Sequence, residues 1–378
     1  MSEWKDCTIA DLVAINRATY SPKEGWPFIN YLDTGSVTEN NIEQIQHLDV
    51  KTDKVPSRAR RKVVPGSIVY STVRPNQRHY ALIKSVPENF LVSTGFAVLD
   101  VKPGVADERF VFSYLTQQTV IDKLQSIAEQ GVCTYPALNP DDIGALTVRI
   151  PDLPIQRKIA AVLGALDDKI ELNRKMNANL ETMAQTLFKS WFVDFEPFGG
   201  KMPEGWRMGK LNELIVVCYG KDHKKLSDGE YPVYGSGGIM RYAERPIFES
   251  ESVLIPRKGT LNNIMYVDRP FWTVDTMFYS KMVRPNVAKY VYLFLSRKDM
   301  ESLNAGSAVP SMTTEILNDM DVVIPSDDCL ENFEDVVSAL FQKKFASEDQ
   351  NRTLAQLRDA LLPKLMSGEL DVDDVKID

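Results

Sequence analysis

One segment of this chain occurs twice, and its two copies lie 174 positions apart. Leu146, Val148, Ile150 and Pro151 reappear as Met320, Val322, Ile324 and Pro325, and the match continues without a gap over about 50 residues. Beyond the proline, the shared apolar positions recur every three or four residues, which predicts one long α-helix in each copy. Each half therefore reads as an irregular domain followed by a long helix, and the chain is expected to have a pseudo-two-fold internal repeat.

The fold class predicted from this pattern is α+β, with two similar domains separated by two long helices that form a coiled coil. The domains are predicted at residues 1–150 and 198–325, and the helical segments at residues 151–197 and 326–378, the last with an acidic tail. A helix from Pro154 to about Phe192 spans about 60 Å at about 1.5 Å per residue, so it needs a partner of similar length. The second copy, from about Leu330 to Met366, is that partner.

The apolar stripe of each helix predicts the seam of the coiled coil. The predicted seam consists of Ile159, Val162, Leu166, Asn177, Leu180 and Leu187 in the first helix, and Val336, Leu340, Asn351, Leu354 and Leu361 in the second. Polar residues also occupy seam positions: Asn173 and Asn177 in the first helix, and Ser347 and Asn351 at the matching places in the second. A facing polar pair would fix the register of the two helices. A seam that splays and leaves these groups wet is the alternative that the sequence leaves open.

Composition predicts a cytoplasmic protein. The chain has no run of about 18 uncharged apolar residues, and its first residues lack the basic-then-apolar layout of a signal peptide. Its four cysteines, Cys7, Cys133, Cys218 and Cys329, lie far apart without a CxxC pair, so we expect them to be reduced and structural.

The charge distribution predicts a polyanion partner although the net charge is −8. Nine Lys and Arg residues lie between Lys51 and Lys84 against the single acid Asp53, and a milder basic stretch lies in the second domain. The predicted DNA contacts of the first domain are Arg58, Arg60, Arg61, Lys62, Arg74, Asn76, Arg78 and His79. Those of the second domain are Lys221, Lys224, Lys225, Ser236, Arg257, Lys258, Asn262 and Asn263. Arg74 and Arg257 each end a strand-like run, where guanidinium could bind guanine, a phosphate or a carboxylate within the fold.

The sequence predicts no catalytic residue and no metal site. Pro151, Asp152, Asp167 and Lys169 mimic the motif of restriction nucleases, but Asp167 and Lys169 lie mid-helix and point about 200° apart. The chain lacks an amino-methyltransferase motif and a Walker A sequence, and Gly235–Gly238 does not follow a strand into a helix. The three histidines, His47, His79 and His223, have no metal-ligand spacing. We therefore expect the function to be binding.

Two segments resemble a known family. IPDLPIQRKIAAVLGALDDKIELNRKMNANLETMAQTLFKSWFVDFEPF resembles the central conserved region of the specificity (S) subunits of type I restriction-modification systems, and LLPKLMSGELDV resembles the end of their distal one. VYSTVRPN and YPVYGSGGI are smaller matches in the variable domains. The second helix departs from the family pattern, because it opens IPSDDCLENF where the family usually has a proline followed by a glutamine, as in Pro151 to Gln156. This leaves open whether both helices engage partners equally.

The resemblance implies a DNA-specificity subunit that is not an enzyme. Its two target-recognition domains would each read one half of a bipartite site in double-stranded DNA, and its two long antiparallel helices would hold them apart and dock two methyltransferase subunits. Motor-nuclease subunits could join this complex. S-adenosylmethionine, ATP and Mg²⁺ are expected on the partner subunits, and no cofactor on this chain. Two alternatives stay open: a stand-alone bilobed DNA-binding regulator, and a nuclease or methyltransferase with an unfamiliar site.

Overall fold

The chain divides into two compact units in the computed structural model, which describes residues 4–130, 135–304, 306 and 310–375. The first unit comprises Met1–Asn173 and Asp349–Asp378, and the second comprises Arg174–Glu348. Each unit contains one mixed α and β domain with part of each long helix, so the predicted two-domain α+β class is confirmed. The predicted domain boundaries remain an interpretation, because the units divide within the helices. None of the described helices is long and apolar enough to cross a membrane.

The first unit begins with twelve described strands and five helices. The strands are β1 (Lys5–Thr8), β2 (Val13–Ile15), β3 (Phe28–Leu32), β4 (Val37–Thr38), β5 (Asn41–Ile42), β6 (Gln46–Asp49), β7 (Ala59–Arg61), β8 (Ile68–Ser71), β9 (Tyr80–Leu82), β10 (Phe90–Ser93), β11 (Phe96–Val101) and β12 (Thr147–Ile150). The helices are α1 (Ile9–Leu12), α2 (Glu108–Leu115), α3 (Gln118–Glu129), α4 (Pro140–Gly144) and the long α5 (Leu153–Phe192), which continues into the second unit.

Two four-stranded sheets form the centre of the first domain, in the orders β2-β11-β8-β9 and β6-β3-β10-β7. Their strands are rich in β-branched and aromatic residues, which favour the pleated, half-buried surface of a sheet. Ile68, Tyr70, Phe96 and Leu99 are almost fully buried between them and the helices. The short antiparallel ribbon β1-β12 then connects the domain to α5.

The second unit repeats this plan with nine described strands and three helices. The strands are β13 (Arg207–Lys210), β14 (Ile215–Tyr219), β15 (Asp228–Gly235), β16 (Gly238–Ala243), β17 (Ser252–Pro256), β18 (Met265–Val267), β19 (Trp272–Thr273), β20 (Met277–Met282) and β21 (Asp321–Ile324). The helices are α6 (Ala288–Ser296), α7 (Thr314–Asn318) and the long α8 (Asp327–Ser367).

The sheets show the internal repeat directly. The sheet β14-β20-β17-β18 of the second unit has the same strand order as β2-β11-β8-β9, and the ribbon β13-β21 repeats β1-β12. β12 and β21 lie 174 positions apart, as do the first residues of α5 and α8. The predicted repeat is therefore confirmed at the level of the elements, whereas the pseudo-two-fold axis stays a prediction.

Two helical segments of the domains are shorter than the spacing of apolar residues in the sequence indicates. Helical spacing extends from Arg109 to Gln130, but this segment is broken into α2 and α3, because the Thr116 hydroxyl donates to the Ser113 carbonyl and Gln117 adopts an extended conformation. Helical spacing also extends from Lys289 to Leu303, but α6 ends at Ser296.

Both long helices are continuous and close to their predicted bounds, but the buried stripe is wider than a two-helix seam. In the first unit Ile159 and Leu166 are buried as predicted, together with Leu163 and Ile170, which the seam prediction omitted. Phe110 of α2 belongs to the same cluster as Ile159 and Leu163. Each helix thus packs against its domain as well as against the other helix, so positions beside the predicted seam are also buried.

The predicted position of Val336 in the seam is wrong. Val336 of α8 is 46% exposed, and its neighbour Val337 takes the buried position with Phe333 and Phe341. The aromatic packing of the second unit causes this rotation, because Phe333 lies 4.8 Å from Phe192 between ring centroids and draws the Phe333, Val337, Phe341 face inward. The other predicted seam residues, Val162, Asn177, Leu180, Leu187, Leu340, Asn351, Leu354 and Leu361, are partly buried.

A polar layer interrupts the seam as the sequence suggested. The side-chain amide of Asn173 is fully buried and donates to Asn351 Oδ1 and Gln350 Oε1, each at 2.8 Å. Ser347 is also buried. The facing pair is therefore present and the fully wet alternative is excluded at Asn173, while its role in fixing the register stays a prediction.

Candidate nucleic-acid interface

The first candidate surface lies where two loops of the first unit meet. The Arg58 carbonyl accepts a hydrogen bond from the Thr94 amide at 2.8 Å. Gly95 directly follows Thr94, and its carbonyl accepts hydrogen bonds from the backbone amide of Thr72 at 2.9 Å and from the Thr72 hydroxyl at 3.0 Å. Thr72 lies two residues before Arg74, so Arg58 and Arg74 are carried on adjoining loops. We call Arg58, Thr72, Arg74, Thr94 and Gly95 the first basic edge.

The two arginines of this edge are exposed and available. No hydrogen bond or ion pair joins the guanidinium of Arg58 or Arg74 to another residue within the described parts of the chain. An unpaired guanidinium offers a planar fork that fits a phosphate or the O6 and N7 atoms of guanine. These two side chains are therefore the strongest candidates for DNA contact in the first unit.

The turn that carries Arg74 is held in an unusual backbone conformation. Arg74 and Arg78 have left-handed φ angles of 48° and 56° and flank the short helical turn Pro75–Gln77. Left-handed conformations are costly for residues other than glycine and persist only where the surroundings fix them. The backbone amide of Asn76 donates to Gln125 Oε1 of α3 at 3.2 Å, and the Arg78 guanidinium donates to Gln118 of the same helix. The turn is thereby fixed on α3.

Several predicted contacts of the first domain already have partners within the fold. Arg78 forms an ion pair with Glu39, and this hydrogen bond raises the pKa of its guanidinium. Lys62 pairs with Glu24 at 2.6 Å and lies 5.2 Å from the centre of the Trp26 ring. The imidazole of His79 contacts the Val37 carbonyl.

Two further predicted contacts of the first domain, Arg60 and Arg61, are partly buried. Arg60 donates from Nε to the Ser57 carbonyl at 3.3 Å, and Arg61 has a buried Nε without a partner in the described structure. The stretch around β7 is therefore partly a set of intramolecular contacts rather than a uniform basic face. Contact with DNA remains a proposal for each of these residues.

The second candidate surface surrounds the β19–β20 turn of the second unit. The Lys221 amide donates to the Thr273 carbonyl at 2.9 Å on one side of the turn. On the other side, the amides of Arg257 and Lys258 both donate to the Thr276 carbonyl, at 2.9 and 3.1 Å. Arg257 directly follows β17, as the sequence predicted. The turn thus places the basic residues from two separate loops along one edge.

The β15–β16 turn joins the same edge. The Asn263 side chain donates from Nδ2 to the Ser236 carbonyl at 2.8 Å. Gly259 has a φ of +88°, and a Cβ there would lie 2.7 Å from the Ser236 hydroxyl oxygen, so the two loops are in close contact. We call Lys221, Ser236, Arg257, Lys258 and Asn263 the second basic edge.

Besides Asn263, two further members of the predicted set in the second domain have side-chain partners within the fold. The side-chain oxygen Oδ1 of Asn262 accepts from the backbone amides of Met300, at 2.8 Å, and Glu301, at 3.3 Å, so this side chain organises the chain after α6. The Arg257 guanidinium donates to the Asp275 carbonyl at 3.1 Å and lies 5.4 Å from the centre of the Tyr219 ring. Lys224 and Lys225 are exposed in the loop that follows Lys221.

Sequence reasoning missed Tyr219, which is 53% exposed beneath Arg257. It also missed Thr72 and Thr94, which join the two loops of the first basic edge. Tyr219 lies 38 positions from Arg257, and Thr94 lies 36 positions from Arg58 and 22 from Thr72, so no local pattern marks these pairs. The chain folding brings them together.

The glutamine near the start of the first long helix, which the second long helix lacks, is replaced by an arginine of the second domain. In the first unit, Gln156 is buried, donates to the Pro151 carbonyl at 2.8 Å and accepts from the Asp107 amide at the start of α2. In the second unit, Leu330 occupies the matching position, and Arg284 before α6 donates to the Pro325 carbonyl at 3.0 Å. In both units, therefore, a side chain donates to the carbonyl of the proline before the long helix. The donor lies on the helix itself in the first unit and in the domain in the second.

A network of charged residues connects the first domain to α5. Lys84 contacts Asp168 at 2.7 Å and also pairs with Glu171, while Arg109 of α2 contacts Asp168 at 2.9 Å. Gly164 makes the approach possible, since a Cβ there would lie 2.3 Å from Arg109 Nη1. Burial raises the pKa of Asp168, but the hydrogen bonds from Lys84 and Arg109 outweigh it and hold the pKa below its usual range.

Asp168→Asn is expected to lower stability at neutral pH but not in acid. A carboxylate with a depressed pKa stabilises the folded state above its ordinary pKa, and this contribution is lost as the pH falls through the folded pKa. For a half-exposed network we expect about 1 kcal/mol and a loss of a few degrees in melting temperature at pH 7. Thermal unfolding of variant and parent at pH 7 and near pH 3 measures this.

The matched control for this prediction is Asp141→Asn, which changes an exposed carboxylate of α4 outside the network. It should melt like the parent at both pH values. A deficit of Asp168→Asn that is equal at both pH values would contradict the assignment of its effect to the charge.

The nuclease-like motif does not form a catalytic arrangement. Asp167 forms an ion pair with Arg358 at 2.8 Å, while Lys169 is exposed elsewhere on α5. Among the described residues, no group of three His, Cys, Asp or Glu side chains is placed to hold a metal ion. Cys7, Cys218 and Cys329 are free thiols, and Cys133 lies outside the described residues.

Comparison with known proteins identifies the repeated domain. The family model described as the type I restriction modification DNA specificity domain matches residues 1–182 and again residues 203–356. The chain is 24% identical over 470 residues to the specificity subunit of the type I restriction enzyme HindI from Haemophilus influenzae, covering 98% of this chain and 100% of that one. It is 25% identical to the MjaIX specificity subunit from Methanocaldococcus jannaschii, covering 86% and 82% of the two chains.

A solved structure has the same fold. The S subunit of a type I restriction-modification system from M. genitalium superposes with a TM-score of 0.55 at 18% identity, over 96% of each chain. The resemblance predicted from the conserved helical segments is confirmed by these matches, because both copies of the domain and most of the chain are covered. The chain therefore belongs to the family of type I restriction modification DNA specificity domains and carries two copies of the domain.

Proposed function

We propose that this protein is the DNA-specificity subunit of a type I restriction-modification complex and reads a bipartite site in double-stranded DNA. Each of its two specificity domains would bind one half of the site through its basic edge. The observation that carries this proposal is that both copies of the domain present cations on adjoining loops, with Arg58 and Arg74 in the first and Lys221 and Lys258 in the second. Such residues supply phosphate affinity, and a few base contacts supply sequence.

The partners of the proposed complex are two methyltransferase subunits, with motor-nuclease subunits as a further possibility in the restriction form. The repeat supports two like partners, because Met183 of α5 and Leu357 of α8 lie 174 positions apart and are 52% and 45% exposed. Each copy of the helical segment thus presents an apolar residue at the same position. Some charged residues that could surround a partner have contacts within the chain, such as Lys158 with Asp373 at 2.7 Å.

The chemistry is assigned to the partners. S-adenosylmethionine would be bound by the methyltransferase subunits for adenine N6 methylation, and ATP and Mg²⁺ by the motor-nuclease subunits. This chain contributes recognition, and we propose that it acts in the cytoplasm, where it meets the DNA. A stand-alone DNA-binding regulator would use the same two edges, but it would not need repeated exposed apolar positions on its helices.

Methylation mapping with a domain exchange tests the proposed function. The chain is co-expressed with an adenine methyltransferase subunit from the same genome, and N6-methyladenine is mapped across the DNA of the host. We expect a motif of two short halves separated by unread positions. Replacing residues 1–150 by the corresponding domain of a relative should change one half, because each domain has its own sheets and core.

Replacing residues 198–325 in the same way is the reciprocal control, and it should change the other half. A continuous motif, or a change of both halves by one exchange, would contradict reading by two independent domains. Methylation by this chain without a second protein would contradict its assignment as a non-catalytic subunit.

A further inference from the structure

The β15–β16 hairpin of the second unit carries an irregularity that redirects one side chain. Tyr234 pairs with Ile239 and Val233 pairs with Arg241, so Met240 is an extra residue on β16. Such a β-bulge bends its strand and re-aims a side chain, and bulges are frequent beside functional sites. Met240 is 60% exposed, more than any other large apolar residue in the described structure.

Gly235 gives this methionine a defined position. A Cβ on Gly235 would lie 2.5 Å from Met240 Sδ and 3.2 Å from its Cγ, so the thioether packs directly over the glycine. The side chain is therefore held at its base by the opposite strand. Ile239, the neighbouring residue on the hairpin, is 45% exposed and extends the apolar surface.

The hairpin turn belongs to the second basic edge. Ser236, next to Gly235, accepts the hydrogen bond from Asn263 at 2.8 Å and contacts the loop of Gly259. Lys258, the residue before Gly259, is exposed. A fixed apolar group thus lies on a hairpin that contacts a basic loop, and phosphate contacts from such a loop would position base edges near it.

We propose that Met240 is a specificity-determining residue that contacts the 5-methyl group of a thymine in the half-site bound by the second domain. The thymine methyl is the apolar feature of the major groove and distinguishes T·A from the other base pairs. A flexible, polarizable thioether adapts well to such a group. This inference rests on the proposed function, because it requires that the second basic edge faces DNA.

Thymine-to-deoxyuridine substitution tests the contact, because it removes only the methyl group. The full chain, assembled with its methyltransferase subunit, is titrated with a duplex carrying the mapped site and with duplexes in which one thymine at a time is replaced. For the parent protein, we expect one replacement in the half-site of the second domain to weaken binding about fourfold, the affinity that corresponds to burying one methyl group. Met240→Ala should bind the unmodified duplex about as weakly and no longer distinguish the two duplexes.

Two further variants separate contact from folding. Met208→Ala is the matched control, since Met208 is 56% exposed but lies on β13 of the ribbon β13-β21, and it should keep the parent's discrimination. Gly235→Ala retains Met240 but displaces its sulfur, and should reduce the discrimination. Both changes leave the charges of the edge intact.

The proposal is overturned if the second half-site contains no thymine, if no replacement there weakens binding, or if Met240→Ala discriminates as well as the parent. In each case, continued preference of the complex for the mapped duplex over a scrambled one leaves the proposed function standing. Loss of that preference in the parent protein would instead contradict the proposed function itself.

Discussion

The double variant Arg58→Ala, Arg74→Ala is expected to lose most of its preference for the cognate site. Both guanidinium groups are exposed on adjoining loops and have no partner among the described residues, so their removal leaves the fold of the first unit intact. A bidentate base contact contributes about 1–3 kcal/mol, and two such contacts predict a loss of at least about 30-fold in specific affinity. Fluorescence anisotropy with the assembled complex, on cognate and scrambled duplexes at several salt concentrations, measures this loss.

The scrambled duplex and the salt dependence identify the kind of contact. If the arginines bind phosphates, both duplexes lose affinity alike, and the salt dependence becomes flatter by about one unit of slope for each contact. The charge-matched control is Lys5→Ala, Arg149→Ala, which removes two exposed cations from the ribbon β1-β12 outside the basic edge. Parent-like binding by the Arg58→Ala, Arg74→Ala variant would remove this edge from the interface.

Arg358→Ala is expected to destabilise the first unit strongly. Its guanidinium contacts Asp167 at 2.8 Å, and the two side chains are only 28% and 24% exposed. Burial lowers the pKa of Arg358, but the hydrogen bond that its guanidinium donates to Asp167 outweighs this effect and raises the pKa. Truncation leaves the Asp167 carboxylate largely buried without its partner. Breaking a buried pair costs about 3–5 kcal/mol, and residual solvent contact reduces our expectation to about 2 kcal/mol.

Urea unfolding followed by circular dichroism measures this effect, and a second variant shows its cause. The double change Arg358→Met, Asp167→Leu removes both charges and keeps apolar volume between α5 and α8, so we expect it to recover most of the lost stability. If the double variant is as unstable as Arg358→Ala, the stems of the two side chains rather than their charges are responsible.

The long helices show why part of the fold could be predicted. Their register is encoded twice, by the 174-residue repeat and by apolar positions at helical spacing, and both signals are local along the chain. The Asn173–Asn351 contact was one of the two alternatives that this register left open. Val336 shows the limit, because the predicted seam assumed that α8 packs on a single neighbour. The second domain supplies a second buried face, and its aromatic packing places Val337 inward in preference to Val336.

The basic residues show the same limit at the candidate site. Composition identified the stretch between Lys51 and Lys84 correctly as basic, but it gave every cation in it equal weight. Arg78 is paired with Glu39 and Lys62 with Glu24, each 38 or 39 positions away, whereas Arg58 and Arg74 stay available. Ion pairs of this kind depend on which strands become neighbours, and sequence spacing does not reveal that.

The sequence by itself determined the repeat, the two long helices, the α+β class and the family. Each of these is specified by residues that are close together in the sequence or separated by the fixed distance of the repeat. Only the tertiary structure decided which cations remain free, how Arg284 replaces the missing glutamine of the second helix, and where the bulge directs Met240. These features arise from contacts between distant segments, and such contacts exist only after the strands and helices have packed.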